Sequence, residues 1–190
     1  MMQINQTIPD MKLEVFHENE IKKVNLSDYR NKWLIVFFYP ADFTFVCPTE
    51  LKEMASHYPE FQKENAEVLS ISTDTVFAHK AWHSSSKTIS EIKFPMGADP
   101  AGKICKEFGT YIEEGADEGL SLRGTFIIDP DGVLKAIEIN NNDIGRSASE
   151  LFRKLQAAIF TRKNGGEVCP ASWVPGKKTL KPGLDLVGKI

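Results

Sequence analysis

The sequence predicts a layered α/β fold built on a mixed sheet. Three observations carry that expectation: an apolar run over residues 33–39 closed by Pro40, strand and helix patterns that alternate along most of the chain, and two strand patterns flanking Asp129-Pro130-Asp131-Gly132. The run Trp33-Leu34-Ile35-Val36-Phe37-Phe38-Tyr39 is apolar on both pleat faces, as a central strand covered on each side requires. The tetrapeptide after Ile128 is a strong turn signal, because proline presets its own φ and glycine tolerates positive φ. It predicts a hairpin, and a hairpin added to parallel strands makes the sheet mixed.

The remaining elements follow in order. Over residues 48–65, Leu51, Met54, Ala55, Tyr58 and Phe61 recur at three- and four-residue spacings, which is a helical stripe. Pro59 lies inside it and lacks the N–H a helix interior needs, so the helix is either bent or split in two near Tyr58. Residues 67–72 read as a strand and 75–83 as a helix with Phe77, Ala78, Ala81 and Trp82 on its apolar side. A short strand at 94–96 contains Pro95, which assigns it to a sheet edge or a strand end. Asp99-Pro100 opens a short helix that Gly109 stops after Phe108. The hairpin strands are 122–128 and 133–139, and residues 147–160 form the last helix, with Ala148, Leu151, Leu155, Ala158 and Ile159 as its stripe. Beyond Gly165-Gly166 the pattern turns irregular, yet Val168, Trp173, Val174, Leu180, Leu184, Leu186 and Val187 anchor it either on its own domain or on a neighbour. Residues 1–160 are thus the core and 161–190 a C-terminal arm of the same single domain.

Composition narrows the function classes. A chain of 190 residues, 42% hydrophobic and 26% charged, can bury a full core without a metal or disulfide scaffold. Its net charge of -3 argues against general nucleic-acid binding, which draws on lysine and arginine. The longest apolar run is far shorter than the roughly 20 residues of a membrane helix. The N-terminus shows neither basic segment nor apolar h-region, so the expected location is the cytoplasm. Cys47, Cys105 and Cys169 are too few and too widely spaced for a secreted disulfide framework, and no CxxC pair offers a zinc ribbon or a local dithiol.

Cys47 is the candidate nucleophile. With Pro48 as the first helical residue, where a missing N–H is harmless, Cys47 falls at the N-cap and the positive helix end faces its sulfur. That environment favours thiolate over thiol. Thr44, three residues earlier in a tight loop, can aim its hydroxyl at the sulfur or at a substrate oxygen. Arg123, emerging from the first hairpin strand, is the candidate cation whose fork of donors can hold a thiolate and a substrate oxygen together. Glu50 either caps the helix or joins this polar network.

The segment Phe43-Thr44-Phe45-Val46-Cys47-Pro48-Thr49-Glu50 closely resembles the active-site signature of the peroxiredoxins, with Pro40, Thr44 and Cys47 matching the family's Pro-x-x-x-Thr-x-x-Cys pattern. Within that family it resembles the typical two-cysteine, bacterial AhpC type. The hairpin Arg123-Gly124-Thr125-Phe126-Ile127-Ile128, the tail Gly166-Glu167-Val168-Cys169-Pro170-Ala171 and the ending Leu184-Asp185-Leu186-Val187-Gly188-Lys189-Ile190 extend the likeness over nearly the whole chain. The resemblance implies a thioredoxin-like fold with an N-terminal extension, no cofactor and no metal. It implies a thiol peroxidase for hydrogen peroxide and organic hydroperoxides, with Cys47 as peroxidatic cysteine, Cys169 of a partner subunit as resolving cysteine, and Arg123 as active-site arginine. It further implies a homodimer assembling as a decameric ring, recycled by a flavoprotein disulfide reductase or a thioredoxin-like reductant. A Gly-Gly-Leu-Gly segment is absent, Asp117-Glu118-Gly119-Leu120 standing in its place, and no Tyr-Phe helix follows; easier unwinding and resistance to overoxidation are the expectation.

Other residues invite blander readings. Cys105, between Ile104 and Lys106 on a short helix, reads as a core thiol. Tyr39 and Trp82 read as packing residues, and Phe43 as either a core residue or part of a ring-building interface. His57, His79 and His83 do not form a metal-site pattern, and Lys177-Lys178 reads as a solvated face. Two other functions compete: a holdase-like role of the oligomer, and a thioredoxin-like disulfide reductase, against which the missing CxxC counts.

Overall fold

The computed structural model describes residues 2–189; Met1 and Ile190, the last residue of the C-terminal resemblance, lie outside them. Two compact units divide the chain, one ending at Ala148 and the other beginning at Ser149.

The first unit is organised around β3 (Trp33–Phe38), every residue of which is buried. It pairs in parallel with β4 (Ala66–Ser72) and antiparallel with β6 (Arg123–Ile128). The sheet has seven strands and is mixed, as the hairpin required. With β1 (Lys12–His17), β2 (Glu20–Asn25), β5 (Met96–Ala98) and β7 (Leu134–Asn140), its order is β2-β1-β5-β4-β3-β6-β7. The β6–β7 hairpin turns on Gly132 at φ 76°, where a Cβ would fall 0.8 Å from the Arg30 guanidinium.

Because side chains alternate along a strand, Leu34, Val36 and Phe38 share one face. They form the main core there with Phe126 and Ile128 of β6 and with Ile104, Cys105 and Phe108 of α3 (Lys103–Phe108). The register opposes Phe37 to Thr125, so Phe37, Thr125 and Arg123 project from the other face. The candidate site collects there.

Several elements differ from the sequence reading. The β1–β2 hairpin was not anticipated. Its turn residues Glu18 and Asn19 both take positive φ (54° and 63°), the two-residue geometry usually signalled by Asn-Gly. The strand expected at 94–96 begins two residues later and lies inside the sheet, between β1 and β4; Pro95 only precedes it, its carbonyl accepting the Ser70 N–H. α1 (Cys47–Lys63) runs unbroken through Pro59, which removes the split-helix alternative, and it starts one residue early, placing Val46 rather than Cys47 at the N-cap. α2 (Val76–Ser85) buries Val76, His79 and Trp82, whereas Phe77, expected on its apolar side, is 70% exposed. α3 starts after Gly102, in the left-handed region at φ 63°; Asp99, expected to open it, instead caps it through the Lys103 and Cys105 N–H groups.

α4 (Ala148–Lys163), which belongs to the second unit from Ser149 onward, buries Leu151, Leu155 and Ile159. The arm returns onto this helix: Trp173 packs on Phe160 with ring centroids 4.9 Å apart, and Arg153 grips Glu150 with two hydrogen bonds (2.7 and 2.8 Å) while donating to the Trp173 carbonyl. Val168 and Leu180 exchange backbone hydrogen bonds.

Candidate active site

A loop between β3 and α1 brings Cys47 to the sheet face carrying Arg123. The chain leaves β3 through buried Pro40 and tightens into a turn in which the Thr44 hydroxyl donates to the Ala41 carbonyl at 2.8 Å. Phe43 takes φ 57° inside this turn and is 58% exposed, so it is not a core residue. The Val46 carbonyl then receives the N–H groups of Thr49 and Glu50 and the Thr49 hydroxyl. The Thr49 and Glu50 N–H groups are consequently occupied within the first turn, and the helix also acts on the sulfur through its dipole.

Around the sulfur the geometry is ionic. Cys47 is fully buried, and the Arg123 Nη1 donates to its Sγ at 3.4 Å. The same Nη1 donates to Glu50 Oε2 at 2.6 Å, while Arg123 Nε is held by the Asn142 carbonyl at 2.8 Å. Glu50 therefore belongs to the polar network and not to a capping box. Its other oxygen accepts from the Arg146 N–H and Nε, each at 2.9 Å. Arg146 stacks its guanidinium 3.5 Å over the Phe37 ring and donates to Gly124 O and Thr125 Oγ1. Burial pushes this guanidinium below its ordinary pKa, and Glu50 pulls it back up. A buried carboxylate between two buried arginines is stable because each charge meets an opposite charge and further hydrogen bonds.

Arg146 escaped the sequence reading. Its only signal is an arginine after Ile144-Gly145, with no spacing that ties it to Cys47. Also unforeseen was the polar cluster beneath the loop. Tyr39 donates to Asp42 Oδ1 and the His79 Nδ1 meets Asp42 Oδ2, both at 2.8 Å, while His79 Nε2 reaches the Gly97 carbonyl at 3.0 Å. Trp82 packs near Tyr39 and Phe43 as a buried ring. Among the described residues no group of three histidine, cysteine or acidic side chains could hold a metal.

Cys105 takes no part in this cluster. Cys105 is buried in the core on the opposite sheet face, its thiol pushed up to about 12 by burial and then by Asp99. Cys169, in the second unit, is half-buried with a weak 3.9 Å contact from its thiol to the Ala157 carbonyl. Burial raises its pKa while Arg153 lowers it. All three cysteines are free thiols.

Residues 4–137 match the AhpC/TSA family. The chain belongs to the AhpC/TSA family. Residues 160–187, including Cys169, match the C-terminal domain of 1-Cys peroxiredoxin. Like other AhpC/TSA proteins of the bacterial two-cysteine type, it is a thiol peroxidase. It is 51% identical to alkyl hydroperoxide reductase C of Salmonella typhimurium, over all of both chains. Among solved AhpC/TSA relatives, Enterococcus faecalis AhpC superposes with a TM-score of 0.84 at 46% identity, covering 90% of this chain and all of that one. Reduced Plasmodium vivax 2-Cys peroxiredoxin superposes at 0.90 and 33% identity, covering 97% and 96%.

Proposed function

We propose that Cys47 is the peroxidatic nucleophile, Arg123 the cation that holds its thiolate, and Thr44 and Pro40 the loop residues that shape the peroxide site. The observation that carries this reading is the Arg123 guanidinium 3.4 Å from the buried Cys47 sulfur, itself fixed by Glu50 and Asn142. A cation beside the sulfur favours its anionic, nucleophilic form. The thiolate attacks the terminal oxygen of a hydroperoxide, an S–O bond forms as the O–O bond breaks, and the leaving oxygen takes a proton to depart as water or alcohol. Cys47 is left as a sulfenic acid. Having donated its hydrogen to Ala41, the Thr44 hydroxyl keeps its lone pairs to accept a hydrogen from the substrate. A fully buried sulfur also suits a slender oxidant such as the peroxide bond of hydrogen peroxide or a small alkyl hydroperoxide.

Cys169 of a second copy then displaces the sulfenic oxygen as water and forms an intersubunit disulfide. An external dithiol, a flavoprotein disulfide reductase or a thioredoxin-like protein, restores both thiols by exchange. Free Cys169 on an arm that is only partly buried supports the resolving role. Exposed Phe43 and Phe45, 58% and 91%, support burial of the loop region in a decameric ring of dimers. The enzyme is assigned to the cytoplasm, where three unpaired thiols persist; among the described residues no helix is long and apolar enough to cross a membrane.

Peroxide consumption with a dithiol reductant tests the cycle. Cys47→Ser abolishes turnover, and Cys169→Ser retains a single sulfenate-forming event but forms no disulfide dimer on non-reducing electrophoresis. Multiple turnovers by Cys47→Ser, or a disulfide confined to one chain, would contradict the assignment.

A further inference from the structure

Arg123 is oriented from two sides: Glu50 takes Nη1, and the carbonyl of Asn142 takes Nε at 2.8 Å. That carbonyl belongs to a turn after β7, closed by the Ile144 N–H donating to Asn141 O and by Asn140 Nδ2 donating to Ile144 O. The turn is short and lies largely in solvent, so its own bonds fix it weakly. A side-chain contact to a neighbouring loop ties it down further. Asn142 Nδ2 donates to Asp117 Oδ2 at 2.8 Å. Asp117 is itself set in a tight loop: the Leu120 N–H donates to the Asp117 carbonyl, Gly119 N–H to Ile112 O and Ile112 N–H to Leu120 O.

The orientation of the Asn142 amide is informative. Its Oδ1 is buried without a hydrogen-bond partner among the described residues. Leaving an acceptor unpaired is unfavourable, and a flip that turned Oδ1 toward solvent would bring two oxygens together at Asp117. The carboxylate therefore dictates which way the amide points, and the bond it receives offsets the unpaired oxygen.

We propose that Asn142 is a positioning residue, with Asp117 as its anchor: their hydrogen bond holds the turn whose backbone carbonyl orients Arg123 against Cys47. This rests on the reading of Cys47 as the nucleophile and Arg123 as its cation. The tether is a side-chain pair on two solvent-facing loops, and it controls a buried cation through a backbone oxygen. Neither residue touches substrate. Loss of the tether lets the carbonyl swing, frees Nε, and lets the guanidinium drift toward Glu50 and away from the sulfur.

The test measures kcat/KM for hydrogen peroxide and the pH dependence of Cys47 alkylation, read by mass spectrometry, in reduced full-length protein. Asn142→Ala and Asp117→Ala are each expected to lower kcat/KM about fivefold to tenfold, the effect of one lost hydrogen bond, and to move the alkylation profile to higher pH. The double variant falls no further than either single one, since both act through the same bond. Asp117→Asn keeps an acceptor oxygen and recovers most of the loss. A purely structural loop role would lower thermal stability without moving the alkylation profile. Wild-type kinetics and profile in both alanine variants, additive losses in the double variant, or an Asp117→Asn protein as impaired as Asp117→Ala would each overturn the proposal. Turnover in Cys47→Ser would instead overturn the reading on which it rests, so the two failures are distinct.

Discussion

Glu50 carries more of the site than its single charge suggests, because both of its oxygens are committed to buried guanidiniums. Glu50→Gln keeps the shape and removes the charge, leaving Arg123 and Arg146 to repel each other in a poorly solvated space. Breaking a buried ionic set in this way costs about 3–5 kcal/mol, so the urea midpoint should drop sharply and peroxide turnover with it. A variant as stable as wild type would show that the arginines find other partners. At this scale the sequence was informative where chemistry is contiguous: Pro40, Thr44, Cys47 and Glu50 lie within eleven residues, and Arg123 sits at a strand start that a turn signal locates. Arg146 and Asn142 were illegible because their roles depend on where the chain passes after β7. The Asn142 carbonyl that meets Arg123 is backbone, and no residue pattern encodes that contact.

Among elements, the strongest stretches were the most readable. β3 declared itself because every position is apolar, and the β6–β7 hairpin because its turn contains both Pro130 and Gly132. β1 and β2 were missed since their turn uses Glu18 and Asn19 without glycine, and β2 is a polar edge strand with Ile21 largely exposed. β5 was misplaced because Pro95, read as an edge marker, lies just outside the ladder. Tyr39, Asp42 and His79 fasten the active-site loop to α2 and to β5, and this junction carries a pH signature. Burial raises the Asp42 pKa above 3.8, with His79 opposing the shift. For an acid raised on folding, the favourable contribution is complete below the unfolded value and is lost as pH rises through the folded one. Asn at position 42 meets the same partners without ionising: its oxygen accepts from Tyr39 and its amide faces His79 Nδ1. Asp42→Asn should therefore gain stability relative to wild type as pH is raised from 3.8 toward neutrality, in urea titrations at a series of pH values. A difference that stays constant over that range would exclude Asp42 as the titrating group.

For the whole molecule, the layered α/β class and the mixed sheet were legible because alternation of periodicities survives local errors of register. Assembly is less legible, since an exposed aromatic reads in sequence like a buried one. Phe43 was left between core and interface; at 58% exposure in a strained turn, it has little to gain from facing solvent. If the ring forms there, Phe43→Glu places a charge in a desolvated contact, and the protein should elute from size exclusion as a dimer where wild type elutes as a ring. Wild-type elution of the variant would move the interface elsewhere. The charges around the sulfur bear on the local unwinding of the first helix that the family resemblance implies. Among Cys47, Arg123, Glu50 and Arg146, two cations face one permanent anion, so the set is balanced only while the sulfur is ionised. Under the proposed chemistry, forming a neutral sulfenic acid removes the balancing charge and leaves an excess positive charge shut away from water. The closed site then acts as a latch cocked by the reactant and released by the product, easing the first turn of α1 open without any further ligand.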